Sequence, residues 1–345
     1  MTPWIRRGLA GLAAVLAAVL GAFVYFQAAT RLEERALAAQ QPVAAAEDVA
    51  ARHVDRDQLM RDVTALAAPE FEGRRTGTPG GEKARRWIVG QFTTIGLTPA
   101  GDQGYLQPFT FTRRSIRGLF LPGRPFRTEY GDAANVIGRI DGSAPGLQPI
   151  VISAHYDHLG RVDGAVYHGA DDNASGVAAL LAAARYFKSH TPRHPMTFVA
   201  FDAEELGLRG AEAYVTVRDD ARRAAVNVNL DMVSRNDRNE IFAAGTYHNG
   251  AFKPLLDDVQ HRSTVRILFG HDRPIYRAGG VENWTYASDH GAFHAEGVPF
   301  VYFGVADHED YHQPTDTAEK IDARFFGAAT DMIVEAIRTF DERLP

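Results

Sequence analysis

Short apolar segments alternate with helix-forming segments from residue 150 to the end of the chain. Each apolar segment is four to six residues long, which is typical of buried strands, and each is followed by polar residues. The segments are 150–154, 196–201, 225–230, 241–244, 265–269 and 298–303. Strands that alternate with helices predict an α/β fold in which helices cover both faces of a sheet.

The region before residue 150 has a weaker pattern. Apolar residues at helical spacing predict helices over residues 55–67 and 82–95, the first stopped by Pro69 and the second by Gly96. Residues 101–146 contain many glycines and prolines, so we expect short strands and turns there. No glycine-rich nucleotide-binding motif stands at any predicted strand-to-helix turn.

The first residues form a separate unit. Arg6 and Arg7 precede a run of apolar residues from 8 to 29 that is long enough to cross a bilayer and longer than the core of a usual signal peptide. We predict a signal anchor at 1–29, a linker or stalk at 30–54 and a folded domain at 55–345. The two arginines favour a folded domain outside the membrane, periplasmic or extracellular. A cleaved signal that releases a secreted protein is the alternative.

Composition excludes several classes of function. The 345 residues carry a formal net charge of −6, which gives no reason to expect a nucleic-acid partner. The chain has no cysteine. Thiolate metal sites, disulfides and cysteine nucleophiles are therefore excluded, and any metal must be bound by histidine, aspartate and glutamate.

Acidic and histidine residues follow the predicted strands where these end. The groups are His155-Tyr156-Asp157-His158, Asp202-Ala203-Glu204-Glu205, Asp231-Met232, and the acidic and histidine residues from Asp307 to His312. A fifth group is the turn Gly-Ala-Asp-Asp-Asn-Ala-Ser-Gly at residues 169–176, which enters an alanine-rich helix with Ser175 as the predicted N-cap. Ligands of open α/β sheets gather outside the carboxyl ends of strands, so we expect these groups to converge.

The chemistry of such a cluster points to metal ions. Several carboxylates cannot share one edge in ionised form without cations, because like charges raise one another's pKa. Two divalent metals about 3.5–4 Å apart resolve the conflict when one carboxylate bridges them, and a shared water then becomes a nucleophile near neutral pH. Imidazole and carboxylate ligands suit zinc, with Co²⁺ or Mn²⁺ as alternatives. A further carboxylate must stay uncoordinated to move the proton of that water.

The order of these motifs resembles the co-catalytic zinc aminopeptidase family, which includes bacterial aminopeptidases, glutamate carboxypeptidase and animal glutaminyl cyclases. The resemblance extends from about Arg74 to the C-terminus. It implies a three-layer α/β/α fold with a mixed, largely parallel sheet and two zinc ions per chain. It assigns the ligands as follows: His155 and Asp231 on one zinc, Glu205 and His312 on the other, and Asp172 as the bridge.

The resemblance also implies roles for residues that do not bind metal. Glu204 matches the general base, and Asp157 matches the carboxylate that orients His155 through its second ring nitrogen. The peptide bond between Asp172 and Asn173 is expected to be unusual and cis. His290 and Tyr311 are candidates for contact with the substrate or its oxyanion.

Three other histidines near these motifs, His158, His294 and His308, are interpreted as structural or surface residues. The resemblance assigns none of them to a metal.

The resulting hypothesis is an aminopeptidase that removes N-terminal residues from peptides. A glutaminyl cyclase with one zinc is the alternative, although the presence of both His155 and Asp231 favours the dinuclear hydrolase. A carboxypeptidase and a non-enzymatic, receptor-like relative are further alternatives. The oligomeric state and the preferred residue of the substrate are not indicated by the sequence.

Overall fold

The computed structural model of the chain describes residues 3–38, 53–114, 126–273 and 282–345. The helices are α1 (Pro3–Ala38), α2 (Arg56–Leu66), α3 (Pro79–Ile95), α4 (Gly176–Ser189), α5 (Arg209–Val217), α6 (Asp219–Arg222), α7 (Phe252–Gln260), α8 (His290–Ala295) and α9 (Ala323–Arg343). The strands are β1 (Thr98–Pro99), β2 (Leu106–Arg114), β3 (Arg127–Ile140), β4 (Ile150–His155), β5 (Gly160–Val162), β6 (Ala165–Tyr167), β7 (Met196–Phe201), β8 (Val226–Leu230), β9 (Glu240–Ala244), β10 (Arg266–Phe269) and β11 (Phe300–Gly304).

Nine of these strands form one mixed sheet in the order β1-β3-β7-β4-β8-β11-β9-β10, with β2 paired to β3. The four central strands, β7, β4, β8 and β11, are parallel to one another. Strand β3 joins β7 in antiparallel orientation, and β9 joins β11 in the same way. The predicted α/β fold with a mixed sheet that is parallel at its centre is confirmed.

Helices cover both faces of the sheet. One face packs against α2, α3, α4, α7 and α9, and the other against α5, α6 and α8. Helix α4 is buried along nearly its whole length because alanines allow it to lie close to the strands. All residues of β4, β7, β8 and β11 are buried, which explains why β4, β7 and β11 are largely apolar. The two asparagines of β8 are buried as hydrogen-bond donors: Asn227 donates to the hydroxyl of Ser153 and Asn229 to that of Ser288.

The region predicted as short strands and turns contains a long antiparallel hairpin instead. Strand β2 has nine residues and β3 has fourteen. A register shift between Phe109 and Phe111 interrupts the ladder, and the ring of Phe111 stacks on that of Tyr130 at 4.7 Å between centroids. Glycines and charged residues interrupt the apolar pattern of this segment, so local periodicity does not predict the hairpin. Its strands are stabilised by cross-strand pairs instead.

The amino-terminal helix α1 contains the predicted anchor. Within the described residues, the segment Ala14–Leu32 is long and apolar enough to cross a membrane. Residues 30–38 of the predicted linker continue this helix, and residues 39–52 lie outside the described ranges. The division into anchor, linker and domain therefore stays a prediction.

Candidate metal centre

The predicted clusters meet at one edge of the sheet. Strands β7, β4, β8 and β11 are parallel neighbours, so their carboxyl ends lie side by side. His155 is the last residue of β4, Asp231 follows β8, and the loop after β11 leads to His312. The turn Ala170–Ser175 enters α4 beside them and carries Asp172.

Two groups of ligand atoms surround the carboxylate of Asp172. On one side, Nε2 of His155 lies 3.3 Å from Oδ1 of Asp172 and 3.3 Å from Oδ1 of Asp231. We call this set the inner position. Its side chains are almost completely withdrawn from solvent, with His155 only 1% exposed.

The second group uses the other oxygen of Asp172. Nε2 of His312 lies 3.1 Å from Oδ2 of Asp172 and 3.4 Å from Oε2 of Glu205. We call this set the outer position, because the side chain of His312 is 36% exposed. The two oxygens of Asp172 therefore face two different sets of ligand atoms.

The turn that carries Asp172 is held by hydrogen bonds to its backbone. The carboxylate of Asp316 accepts from the amides of Asp171 and Asp172 at 3.0–3.1 Å. The side chain of Asn173 donates to the carbonyl of Leu230 at 2.9 Å, which ties the turn to the end of β8. The peptide bond between Asp172 and Asn173 is cis, as expected.

The roles of Ser175 and Gly176 in this turn become clear from their contacts. Ser175 is not an N-cap: its hydroxyl donates to the carbonyl of Asp171 at 2.7 Å, and Ser175 itself has helical backbone angles. Gly176 is required by close approach, since a Cβ at this position would lie 2.4 Å from the carbonyl oxygen of Leu230.

A buried arginine holds the loops beneath the centre. The guanidinium of Arg74 donates to four carbonyl oxygens at 2.6–3.0 Å, and those oxygens belong to Leu66, Tyr156, His168 and Gly169. Burial lowers the pKa of Arg74 to about 10, which leaves it charged at neutral pH. This residue was not assigned a role from the sequence, because four backbone acceptors from distant segments leave no pattern along the chain.

Asp157 fixes the backbone of the two glutamates. Its carboxylate accepts from the amide of Glu204 at 3.0 Å and from the amide of Glu205 at 3.3 Å. The predicted hydrogen bond between this carboxylate and the ring of His155 is not made: Nδ1 of His155 lies 3.1 Å from the carbonyl oxygen of Asp157 and 3.8 Å from its carboxylate. The ring of His155 is thus oriented by a backbone carbonyl. Metal-binding histidines commonly use such a carbonyl as the partner of their second ring nitrogen.

The charges of the centre perturb its titratable groups strongly. Burial, with added repulsion from Asp289, Asp231 and Glu205, raises the pKa of Glu204 well above its usual range. The pKa of Asp172 lies well below its usual range because three imidazoles outweigh the effect of burial, His158 most of all. The cluster thus favours positive charge beside its carboxylates, which is the charge that bound cations would supply.

The two candidates for substrate contact differ in their surroundings. His290 is fully buried, its Nε2 lies 2.8 Å from the carbonyl oxygen of Trp284, and burial lowers its pKa to about 3. The neutral ring therefore donates its one N–H to that carbonyl, and a contact between His290 and the substrate stays a prediction. Tyr311 is half-buried and stacks on the ring of His312 at 4.0 Å between centroids. Burial raises the pKa of Tyr311, so its hydroxyl stays protonated and can donate.

Two of the histidines interpreted as structural or surface residues are part of the centre's surroundings. His158 is 1% exposed, and its Nδ1 lies 2.8 Å from Oε1 of Glu205. His308 has a structural role, since its Nε2 contacts Oδ2 of Asp171 at 3.1 Å and its Nδ1 accepts from Arg235. The surface interpretation is wrong for His158, because the spacing from His155 did not show which way the chain turns after β4.

A further carboxylate close to the centre had no assigned role. Both oxygens of Asp289 are buried without a hydrogen-bond partner among the described residues. Burial raises the pKa of Asp289 to about 7, and its charge in turn acts on Glu204. In the sequence, Asp289 directly precedes His290, the candidate for substrate contact, and no pattern sets it apart from surface carboxylates.

The ligand atoms fit zinc. Four ligands at about 2.0–2.1 Å from a tetrahedral zinc ion lie about 3.3–3.4 Å from one another. The spacings at the inner and outer positions are 3.1–3.4 Å. Oδ1 of Asp231 is also buried without a hydrogen-bond donor among the described residues, which is the state expected of an atom that binds a cation.

Comparison with known proteins agrees with this geometry. The family model described as Peptidase family M28 matches residues 135–337, more than half of the chain. The aminopeptidase YwaD of Bacillus subtilis (strain 168) is 31% identical over 196 residues, which cover 54% of this chain and 40% of that relative. The match thus covers less than half of that relative's length.

Solved structures share the fold at low sequence identity. An aminopeptidase from Aneurinibacillus sp. strain AM-1 superimposes with a TM-score of 0.62 at 19% identity, covering 83% of this chain and 94% of that one. A glutaminyl cyclase of Bacteroides thetaiotaomicron gives a TM-score of 0.63 at 17% identity, covering 84% and 99%. The fold alone therefore does not separate hydrolase from cyclase.

Proposed function

Because the chain belongs to peptidase family M28, we propose that it is a zinc-dependent aminopeptidase that removes N-terminal residues from peptides. The observation that carries the proposal is the position of Asp172, whose two oxygens face separate sets of ligand atoms at 3.1–3.4 Å. A single zinc ion needs only one of these sets. Two complete sets around one carboxylate favour a dinuclear centre and therefore the hydrolase over a one-zinc cyclase.

In this proposal, His155 and Asp231 would hold zinc at the inner position, Glu205 and His312 would hold it at the outer position, and Asp172 would serve as the bridging carboxylate. Zinc at these positions supplies Lewis-acid chemistry: it polarises the scissile carbonyl and lowers the pKa of water. Co²⁺ or Mn²⁺ would fit the same ligands.

Glu204 is the proposed general base. Its backbone amide donates to the carboxylate of Asp157 at 3.0 Å, and the same carboxylate also accepts from the amide of Glu205. A carboxylate with a raised pKa is suited to take a proton from the attacking water and to deliver it to the leaving amine. The hydroxyl of Tyr311, which stays protonated, is placed beside His312 and can donate to the oxyanion that develops at the carbonyl.

Substrates with free and blocked amines test the class of reaction. The full chain in detergent is assayed with aminoacyl p-nitroanilides, with their N-acetylated forms and with a peptide that begins with glutamine, before and after treatment with a chelator. We expect chelator-sensitive cleavage of the free-amine substrates alone. Cleavage of only the blocked substrates contradicts the proposal, and cyclisation of the glutamine peptide without hydrolysis supports the cyclase instead.

Substitution of Glu204 tests the mechanism. We expect Glu204→Gln to retain its zinc and to lose about 10²–10⁴-fold in kcat, because the proton carrier is removed and the ligands are not. Glu309→Gln is the matched control, since Glu309 is an exposed carboxylate in the loop that leads to His312. Full activity of the Glu204 variant would refute its role as the base.

We propose in addition that α1 anchors the enzyme in a membrane with the catalytic domain on the outer side. The support is the apolar segment Ala14–Leu32 and the arginines before it. N-terminal sequencing of the protein extracted from membranes distinguishes an uncleaved anchor from a cleaved signal. Recovery of a soluble protein that lacks this segment contradicts the anchor.

A further inference from the structure

A buried histidine lies against the outer position without belonging to the set of ligands assigned there. His158 follows β4 by three residues and is 1% exposed. Its Nδ1 lies 2.8 Å from Oε1 of Glu205 and 3.7 Å from Oδ2 of Asp172. Its ring also meets that of His312 edge-on at 5.8 Å between centroids.

The hydrogen of the contact between His158 and Glu205 belongs to the imidazole. A carboxylate oxygen only accepts, so Nδ1 donates to Oε1. The other ring nitrogen, Nε2, is buried and has no hydrogen-bond partner among the described residues. The contact with Glu205 is therefore the polar interaction that keeps this ring in place.

The ligand atoms of His158, Asp172 and Glu205 lie within 4.8 Å of one another, close enough to share a metal ion, but the spacing favours a hydrogen bond for His158. Ligand atoms on one tetrahedral zinc lie about 3.3–3.4 Å apart, and His312 lies at 3.1 and 3.4 Å from its neighbours. The 2.8 Å between Nδ1 of His158 and Oε1 of Glu205 is shorter and is typical of a charge-assisted hydrogen bond. His312 meets Asp172 and Glu205 at ligand spacing, whereas His158 meets one oxygen of Glu205 at hydrogen-bond spacing.

The chain makes room for this ring at a specific glycine. A Cβ on Gly169 would lie 2.1 Å from the carbonyl oxygen of Asp172 and 2.6 Å from Cγ and Cδ2 of His158, so both the turn and the ring need glycine there. Arg74 holds the carbonyl of Gly169 at 2.8 Å and that of Tyr156 at 2.9 Å, so both sides of the loop around His158 are fixed.

We propose that His158 is a positioning residue for the outer metal: it binds Oε1 of Glu205 and leaves Oε2 as the single oxygen that faces His312 and the cation. This inference rests on the proposed dinuclear centre. It assigns the two oxygens of Glu205 to different partners. The loss of such a hydrogen bond typically costs 10–100-fold in metal affinity.

Stepwise zinc binding tests this role. The full chain in detergent is stripped of metal and titrated with Zn²⁺ against a chromogenic competing chelator. In His158→Phe, which keeps a ring but no donor, we expect the second ion to bind about 10–100-fold more weakly and the first ion to bind as in the wild type. In His158→Asn, whose amide can donate from nearly the position of Nδ1, we expect second-ion affinity close to that of the wild type.

A second histidine–glutamate pair supplies the matched control. Nε2 of His53 lies 3.1 Å from Oε2 of Glu335, away from the metal centre. We expect His53→Phe to bind both ions as the wild type does. Because binding of the first ion requires a folded centre, it also reports that each variant is folded. If His158→Phe fails to fold, His158→Ala is measured under the same criteria.

The remaining outcomes overturn the proposal in different ways. Unchanged binding of both ions by His158→Phe shows that His158 does not position Glu205. Equal loss in the Asn and Phe variants shows that the ring itself is needed, as a ligand or as packing. If the wild type binds fewer than two ions, the dinuclear function fails, and the role of His158 fails with it. If the wild type binds two ions, the variants test the role of His158 alone.

Discussion

The inner and outer positions share the carboxylate of Asp172 but lie in different surroundings. His155 and Asp231 of the inner position stand at the ends of adjacent parallel strands, β4 and β8, and are buried. At the outer position, His312 comes from the loop after β11, and its side chain is 36% exposed. One position is thus built on the sheet, and the other is completed by a loop.

The two positions therefore differ in how rigidly their residues are held. Strand-end residues are fixed by the ladder of the sheet and by the side chains packed beneath them. The loop that brings in His312 is held by local polar contacts instead: Arg235 and Lys320 both bind the carboxylate of Asp310. We therefore expect the geometry of the inner position to be rigid, and that of the outer position to depend on the polar contacts that hold its loop.

The largest effect is expected at the residue that the two positions share. Asp172→Ala should remove both ions and lower kcat/KM by about 10³-fold or more, because each set of ligands loses a member. Zinc content per chain is measured alongside the rate, with Glu309→Gln as the control. Retention of one tightly bound ion would show that the two positions are independent.

The ligand histidines should separate the two positions. His155→Ala and His312→Ala should each lose one ion, but they should differ in the stability of the metal-free protein. Loss of the buried His155 leaves carboxylates without a counter-charge, at a cost of about 3–5 kcal/mol. Loss of the partly exposed His312 should cost about 1 kcal/mol or less. Urea unfolding in the presence of chelator measures both, and equal costs would contradict the contrast in rigidity.

The free energy of unfolding should depend on pH through the buried His290. The pKa of His290 is lowered to about 3, below the value of about 6.5 in the unfolded chain, so its stabilising contribution is present above pH 6.5 and falls as the pH drops toward 3. Between pH 7 and 5 the wild type should lose about 2 kcal/mol through this group. In His290→Phe this loss should be absent. An equal change in the free energy of unfolding for the two proteins between these pH values would refute the depressed pKa.

The smallest difference is expected in metal exchange. A chelator added to the dinuclear protein should remove one equivalent of zinc in a fast phase and the second in a slow phase. The exposed outer position should account for the fast phase, since water and chelator reach His312 directly. Stopped-flow measurement of released zinc tests this, and a single phase of two equivalents would contradict it.

Much of the fold could be predicted because its strands are short apolar runs with polar ends. The predicted helix over residues 55–67 is α2, capped by Asp55 through the amide of Gln58, and the predicted strand over 196–201 is β7. The hairpin of β2 and β3 was missed because pairing between distant residues stabilises it, and such pairing is not visible in local periodicity.

The sequence was sufficient to predict which residues meet, because parallel strands place their carboxyl ends on one edge: His155 ends β4, Asp231 follows β8 and Glu205 lies in the loop after β7. The role of each polar atom depends on the tertiary structure. His158 and Glu205 are 47 residues apart, and the hydrogen bond between them depends on how two loops turn after their strands. In the same way, the fold turned His290 toward Trp284 and gave the second ring nitrogen of His155 a carbonyl partner. The direction of a side chain is set by its packing neighbours, and those neighbours are far away in the chain.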